Sequence, residues 1–209
     1  MHIRVVSPSS SIERLGGFEA NLAAKERLEK LGFTVSFSEH YLENDILGSA
    51  SIESRVADIH AAFSDDSVDA ILATIGGFNC NELLPYLDFE LIARNPKIFC
   101  GYSDTTALLS AIYSKTGMKT YMGPSYSSFK MEALQEYQTE SWLKAISQTS
   151  YELTPSEKWG DNAWYLPDAP LTFHKTEWKV YNHGKAQATV VGGNLSTFSL
   201  LRGTPYAPT

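Results

Sequence analysis

Apolar and polar residues alternate along the first two thirds of the chain in short blocks of two kinds. Ile3-Arg4-Val5-Val6 is a brief apolar run that stops at Ser7-Pro8-Ser9-Ser10-Ser11, which reads as a strand and a loop. Ala20, Ala24, Leu28 and Leu31 then fall on one helical stripe, with Lys25, Glu26, Glu29 and Lys30 largely off it. Gly32 stops that helix, and Phe33, Val35 and Phe37 alternate as a strand would. Ile52, Val56, Ile59 and Phe63 mark a second amphipathic helix. Val68–Thr74 predicts the next strand, closed by Gly76-Gly77, and Asn79–Leu87 predicts a short helix. A strand at Lys97–Cys100, a helix over Thr105–Lys115 and a strand at Lys119–Met122 follow. Strands that alternate with helices in this way imply parallel pairing through crossover helices. The fold class is therefore α/β, a mostly parallel sheet sandwiched by helices in a Rossmann-like arrangement.

From about Thr149 the pattern changes. Residues 154–170 hold three prolines among Trp159, Gly160, Asp161, Trp164 and Tyr165, with neither a helical nor a strand period. Glu177–Tyr181 and Gln187–Val191 read as strands, and Gly192-Gly193-Asn194-Leu195 opens a short apolar helix that runs through Leu201. The expected organisation is an N-terminal domain over 1–150, a linker over 151–176, and the opening of a second α/β domain over 177–209.

Composition narrows the function. A net charge of −7 with few basic clusters argues against a nucleic-acid partner. No apolar run is long enough to cross a membrane, and Met1–Val6 lacks a signal-peptide core. The two cysteines, Cys80 and Cys100, have no metal-ligand spacing, and a reduced cytoplasmic setting is expected.

The strongest chemical signal is Cys100-Gly101-Tyr102-Ser103-Asp104-Thr105-Thr106, where a strand breaks at once into a helix. Such a break lifts one residue, here Ser103, out of the sheet, and the Asp104 N–H beside it sits at the positive end of the following helix. A serine nucleophile needs an exposed hydroxyl, a base and donors for an oxyanion. The competing reading is a helix cap, since Ser-Asp-Thr-Thr is rich in capping residues. Gly76-Gly77 ends a strand expected to neighbour that of Ser103, and bare backbone N–H groups there could approach a ligand or merely turn the chain. Asn79, Asn81 and Glu82 could touch substrate or cap a helix. Trp159 and Trp164 suit either a lid stacking on a flat ligand or a plug between domains. His2, His40, His60, His174 and His183 stand in no motif, so no base for Ser103 is evident.

Three segments together resemble the LD-carboxypeptidase family of serine peptidases: Ala73–Leu84, Gly101–Thr106, and Val191–Leu195 with Gly203-Thr204-Pro205-Tyr206. The Gly-Gly-x-Asn-x-Asn form and the tryptophan-bearing linker resemble the MccF-like branch, which holds the microcin C immunity proteins. The resemblance implies Ser103 as nucleophile and Gly77 and Asp104 as the backbone oxyanion donors; from their own loop positions, Asn79 and Trp164 are the candidates for substrate binding. It also implies a Ser-Glu-His triad with no metal and no cofactor, a typically homodimeric enzyme, and a small substrate. That substrate is a murein LD-peptide or a microcin-like aminoacyl nucleotide. The family's Glu and His lie downstream of the Gly-Gly-Asn-Leu helix, and nothing here matches them. The chain is thus expected to stop early in its second domain and to hydrolyse amides poorly by itself. The alternative is an inactive α/β module that binds a peptide or an aminoacyl nucleotide.

Overall fold

Strands β1 (His2–Val6), β2 (Thr34–Phe37), β3 (Ala70–Ala73), β4 (Ile98–Gly101) and β5 (Tyr121–Met122) form one wholly parallel sheet in the order β2-β1-β3-β4-β5. The computed structural model describes residues 1–163 and 170–208. Helix α1 (Leu22–Lys30) joins β1 to β2, and α2 (Ile52–Ser64) joins β2 to β3. A 3-10 segment (Cys80–Tyr86) and α3 (Phe89–Arg94) lead to β4, and α4 (Thr106–Thr116) leads to β5. The α/β fold expected from the alternation is the one observed.

Both faces of the sheet are covered, which is why β3 is buried at every position of Ala70-Ile71-Leu72-Ala73. Ile71 and Phe99 stand opposite one another in the β3–β4 register. They pack with Ile59 and Phe63 of α2, Ile92 of α3, and Leu108 and Ile112 of α4. Phe63 meets Phe99 edge-on at 6.1 Å. Val5 and Leu72 lie outside that cluster and point the other way by strand alternation. A second packing centre is built on Tyr126, whose ring stands edge-on to Phe37 at 5.3 Å and whose hydroxyl donates to the Asn21 carbonyl at 2.9 Å.

Local chemistry sets the element ends. Ser51 accepts from the Ser54 N–H at the start of α2, and Asp88 accepts from the Leu91 N–H at the start of α3. Gly117, at φ 71°, closes α4 in the left-handed region. The helix expected over Asn79–Leu87 is a 3-10 segment with Pro85 inside it.

Beyond β5 the structure departs from the sequence reading. Helix α5 (Gln135–Ser147) has no counterpart in the apolar pattern, since only Gln135 and Trp142 of it are buried. Two short strands, β6 (Lys158–Trp159) and β7 (His174–Lys175), pair antiparallel. The strands expected at Glu177–Tyr181 and Gln187–Val191 do not form. Val180, Tyr181 and Val190 are 59%, 80% and 96% exposed, and among the described residues no strand pairs with them. Helix α6 (Leu195–Leu200) closes the described chain. Two compact units result, Met1–Lys130 with Gly192–Thr209, and Met131–Val191. Among the described residues no helix is long and apolar enough to cross a membrane.

Candidate active site

The strand order turns about at β1 and β3, whose connections leave in opposite directions, so a crevice opens beyond their carboxyl ends. The loops after β1, β3 and β4 meet there. Tyr102 is still extended (φ −145°, ψ −174°), and Ser103 then adopts φ 57° before a 3-10 turn, Ser103–Thr105, runs into α4. A non-glycine residue in the left-handed region costs roughly 1–2 kcal/mol, so the surrounding packing must impose it. A capping serine has extended dihedrals and accepts an N–H from its own helix; Ser103 does neither. The cap reading is excluded by this geometry, and what remains is a serine held at a sharp strand-to-helix break.

Gly76 lies directly against this residue. A Cβ at Gly76 would sit 2.7 Å from the Ser103 Cβ and 2.8 Å from its Oγ, so only glycine fits. The same added carbon would lie 3.5 Å from the Asp104 backbone nitrogen. At Gly77 a Cβ would meet Ser9 Oγ at 2.3 Å and Ser10 Oγ at 2.5 Å. Neither glycine has a positive φ, so both are required by close approach and not by backbone conformation. The β3 and β4 loops, expected to be neighbours, are therefore in contact at Ser103 itself.

The Asp104 side chain turns inward and is 5% exposed. Its Oδ2 accepts from Ser9 Oγ at 2.6 Å and from the Cys80 N–H at 2.8 Å, joining all three loops. The Ser10 N–H donates to the Gly76 carbonyl at 3.4 Å, and Thr74 Oγ1 donates to the Ser10 carbonyl at 3.3 Å. Burial of Cys80 beside this carboxylate pushes its thiol well up, which removes it as a nucleophile. Cys100 is also buried, as expected of a strand residue.

Asn79 spends its amide within the loops, Nδ2 donating to Ser49 Oγ at 2.8 Å and Oδ1 facing Ser9 Oγ at 3.4 Å. Trp164 lies outside the described residues. Trp159 is in β6 and packs on the His174 ring at 5.0 Å. The histidines of the first unit are engaged elsewhere: His2 with Ser36 and Ser67, His40 with Asp58, and His60 with the Asp88 N–H. None of them bonds to Ser103 among the described residues.

Two participants escaped the sequence reading. Ser9 was visible only as part of a serine-rich loop. Arg55 is 3% exposed, and its guanidinium reaches the carbonyls of Pro8 and Asn79 at 3.3 and 3.2 Å and Glu82 at 2.9 Å. A signal for Arg55 was present, because it sits three residues after Ile52 and four before Ile59, on the buried side of α2.

The Gly192-Gly193-Asn194-Leu195 segment also closes on this region. Gly193, at φ 150°, passes so near α4 that an added Cβ would lie 2.4 Å from Thr106 Cγ2. The Asn194 N–H donates to Thr106 Oγ1 at 3.0 Å, and Asn194 Oδ1 caps α6 by accepting from Thr197. The three motifs that carried the resemblance thus converge on the first turn of α4.

Residues 3–123 match the LD-carboxypeptidase N-terminal domain. The Bacillus subtilis protein YocD is 49% identical over 99% of this chain, which covers 64% of YocD. The Escherichia coli microcin C7 self-immunity protein MccF is 32% identical over 99% of this chain, which covers 66% of MccF. The crystal structure of an MccF-like protein from Bacillus anthracis strain Ames superposes over 100% of this chain and 64% of its own, with TM-score 0.95 and 49% identity. The chain therefore spans less than two thirds of the length of each of these relatives. By the match of residues 3–123, more than half of its length, the chain belongs to the LD-carboxypeptidase family of serine peptidases.

Proposed function

We propose that this chain carries the nucleophile and oxyanion hole of a serine peptidase or amidase. The observation that carries the reading is Ser103 at φ 57° between β4 and α4, with Gly76 against its side chain. Ser103 Oγ attacks the amide carbonyl, and the backbone N–H groups of Gly77 and Asp104 stabilise the developing oxyanion. A base must take the Ser103 proton and return it to the leaving amine; the reading gives this to a His-Glu pair in the part of the relatives that this chain does not span. No metal or cofactor enters the step. Substrate contact falls to the Asn79 loop and Trp164, and the working enzyme is a cytoplasmic homodimer.

The substrate is a small acylated molecule, and two classes compete. MccF has been solved with glutamyl sulfamoyl guanosine and with aspartyl sulfamoyl adenosine. A Pseudomonas aeruginosa murein tetrapeptide carboxypeptidase is 26% identical to this chain. The backbone follows apo MccF at TM-score 0.92 and 33% identity, which favours the aminoacyl nucleotide.

A chimera of this chain with the remaining C-terminal third of YocD tests the assignment. It is expected to release nucleotide from an aminoacyl sulfamoyl adenosine faster than a terminal D-residue from a murein tetrapeptide. Ser103→Ala should lower turnover by at least about 10³-fold, and the 209-residue chain by itself should show only residual hydrolysis. Undiminished turnover by the Ser103→Ala chimera refutes the nucleophile, whereas an unsubstituted chimera that binds these substrates without hydrolysing them leaves the inactive binding module.

A further inference from the structure

The peptide group between Asn79 and Cys80 is held at both ends by buried charges of opposite sign. Its carbonyl accepts from Arg55 Nη1 at 3.2 Å, and its N–H donates to Asp104 Oδ2 at 2.8 Å. Arg55 is 3% exposed and Asp104 5% exposed, so neither charge is screened by water to any extent. A half-turn of this peptide would set a carbonyl oxygen against the carboxylate and an N–H against the guanidinium. Both contacts would be repulsive in a poorly screened site, and one orientation is selected.

Each clamping residue also reaches beyond the peptide. Arg55 holds the Pro8 carbonyl at 3.3 Å and pairs with Glu82 at 2.9 Å, while Asp104 accepts from Ser9 at 2.6 Å. The loop after β1 is thus tied to the same two charges as the loop after β3. Asp104 adjoins Ser103 in the chain, so its carboxylate connects the serine turn directly to the glycine loop.

We infer that Arg55 and the Asp104 carboxylate are positioning residues, which lock the Asn79–Cys80 peptide and so hold the Gly77 and Asp104 N–H groups in register with Ser103. This rests on the reading of Ser103 as nucleophile. Neither side chain touches substrate; both act through the backbone of residues 76–80. The device suits a hole formed from two different loops. Rigid placement of donors before the reaction is what gives an oxyanion hole its effect, and a displacement near 1 Å can cost about a hundredfold in rate.

Hydrogen exchange on the 209-residue chain tests the clamp independently of activity. Arg55→Met and Asp104→Ala should each speed exchange at residues 76–84 while leaving α1 and β2 unchanged. Arg55→Lys and Asp104→Asn should restore part of the protection. The double variant Arg55→Met/Asp104→Ala should exchange little faster than either single one, because the first substitution already frees the peptide. In the YocD chimera the same single variants should lower kcat by about a hundredfold with KM nearly unchanged. Wild-type exchange at 76–84 in both single variants, or additive effects in the double, overturns the clamp. A kcat that falls only in proportion to the unfolded fraction overturns its positioning role. If the Ser103→Ala chimera keeps its turnover, the nucleophile reading fails instead, and exchange still decides whether the clamp exists.

Discussion

Nδ1 of His40 lies 2.8 Å from Oδ1 of Asp58, a carboxylate buried in α2, and the Asp58 hydrogen bond raises the imidazole above its ordinary pKa of 6.5. Glu43 and Glu39 add to the effect. His60 is the reverse case: desolvation lowers its pKa below 6.5, and its Nε2 accepts from the Asp88 N–H at 2.9 Å, which it can do only unprotonated. The linkage signs are therefore opposite. The folded protein holds the His40 proton more tightly than the unfolded chain, so that contribution is full below about pH 6.5 and is lost as pH rises through the folded value. For His60 the contribution is full above about pH 6.5 and is lost as pH falls through that value towards the folded one. Urea midpoints measured between about pH 5 and 8.5 should show this separately in two variants. His40→Gln should flatten the decline on the alkaline side, and His60→Gln the decline on the acid side. Midpoint profiles parallel to wild type in both variants would contradict the assignment. Neither histidine's partner was legible in the chain, because Asp58 is 18 residues from His40 and Asp88 is 28 residues from His60.

At the scale of elements, α4 is where distant parts of the sequence meet. Its first turn follows the Ser103–Thr105 3-10 turn, and Thr106 receives the Asn194 N–H from 88 residues away. The close passage at Gly193 makes that docking sensitive to a single methyl group. Gly193→Ala must both leave φ 150° and displace Thr106, a strain of roughly 1–3 kcal/mol. The expected result is detachment of 192–208 from α4, seen as faster tryptic cleavage at the exposed Arg202 with the β1–β5 sheet still intact by circular dichroism. Unchanged cleavage at Arg202 would show that the glycine is not what seats the segment. The elements of the sheet were readable because burial on two faces leaves continuous apolar runs such as Ala70–Ala73. Helix α5 was not, because one buried tryptophan and one buried glutamine make no apolar stripe.

For the whole molecule, the two compact units differ in how they are held. Unit Met1–Lys130 with Gly192–Thr209 contains the five-stranded sheet and the cluster built on Phe63, Phe99 and Leu108. Unit Met131–Val191 contains one helix and a ladder of two residue pairs, and from 148 to 163 and 170 to 191 its described residues are almost all exposed. Limited proteolysis should therefore cut first between 148 and 191 and leave a resistant fragment beginning at Met1 and ending near Lys130. First cuts inside Met1–Lys130 would reverse that ranking. The sequence by itself determined the parallel α/β class, the glycine loop and the strand-to-helix break at Ser103, since these depend on local period and on residues a few positions apart. Only the tertiary structure decided the strand order, the left-handed conformation that excludes a cap, the closeness of Gly76 to Ser103, and the clamp of Arg55 and Asp104 on one peptide. Those depend on which loops the sheet brings together, and contacts spanning 24 to 95 residues leave no periodic trace in the chain.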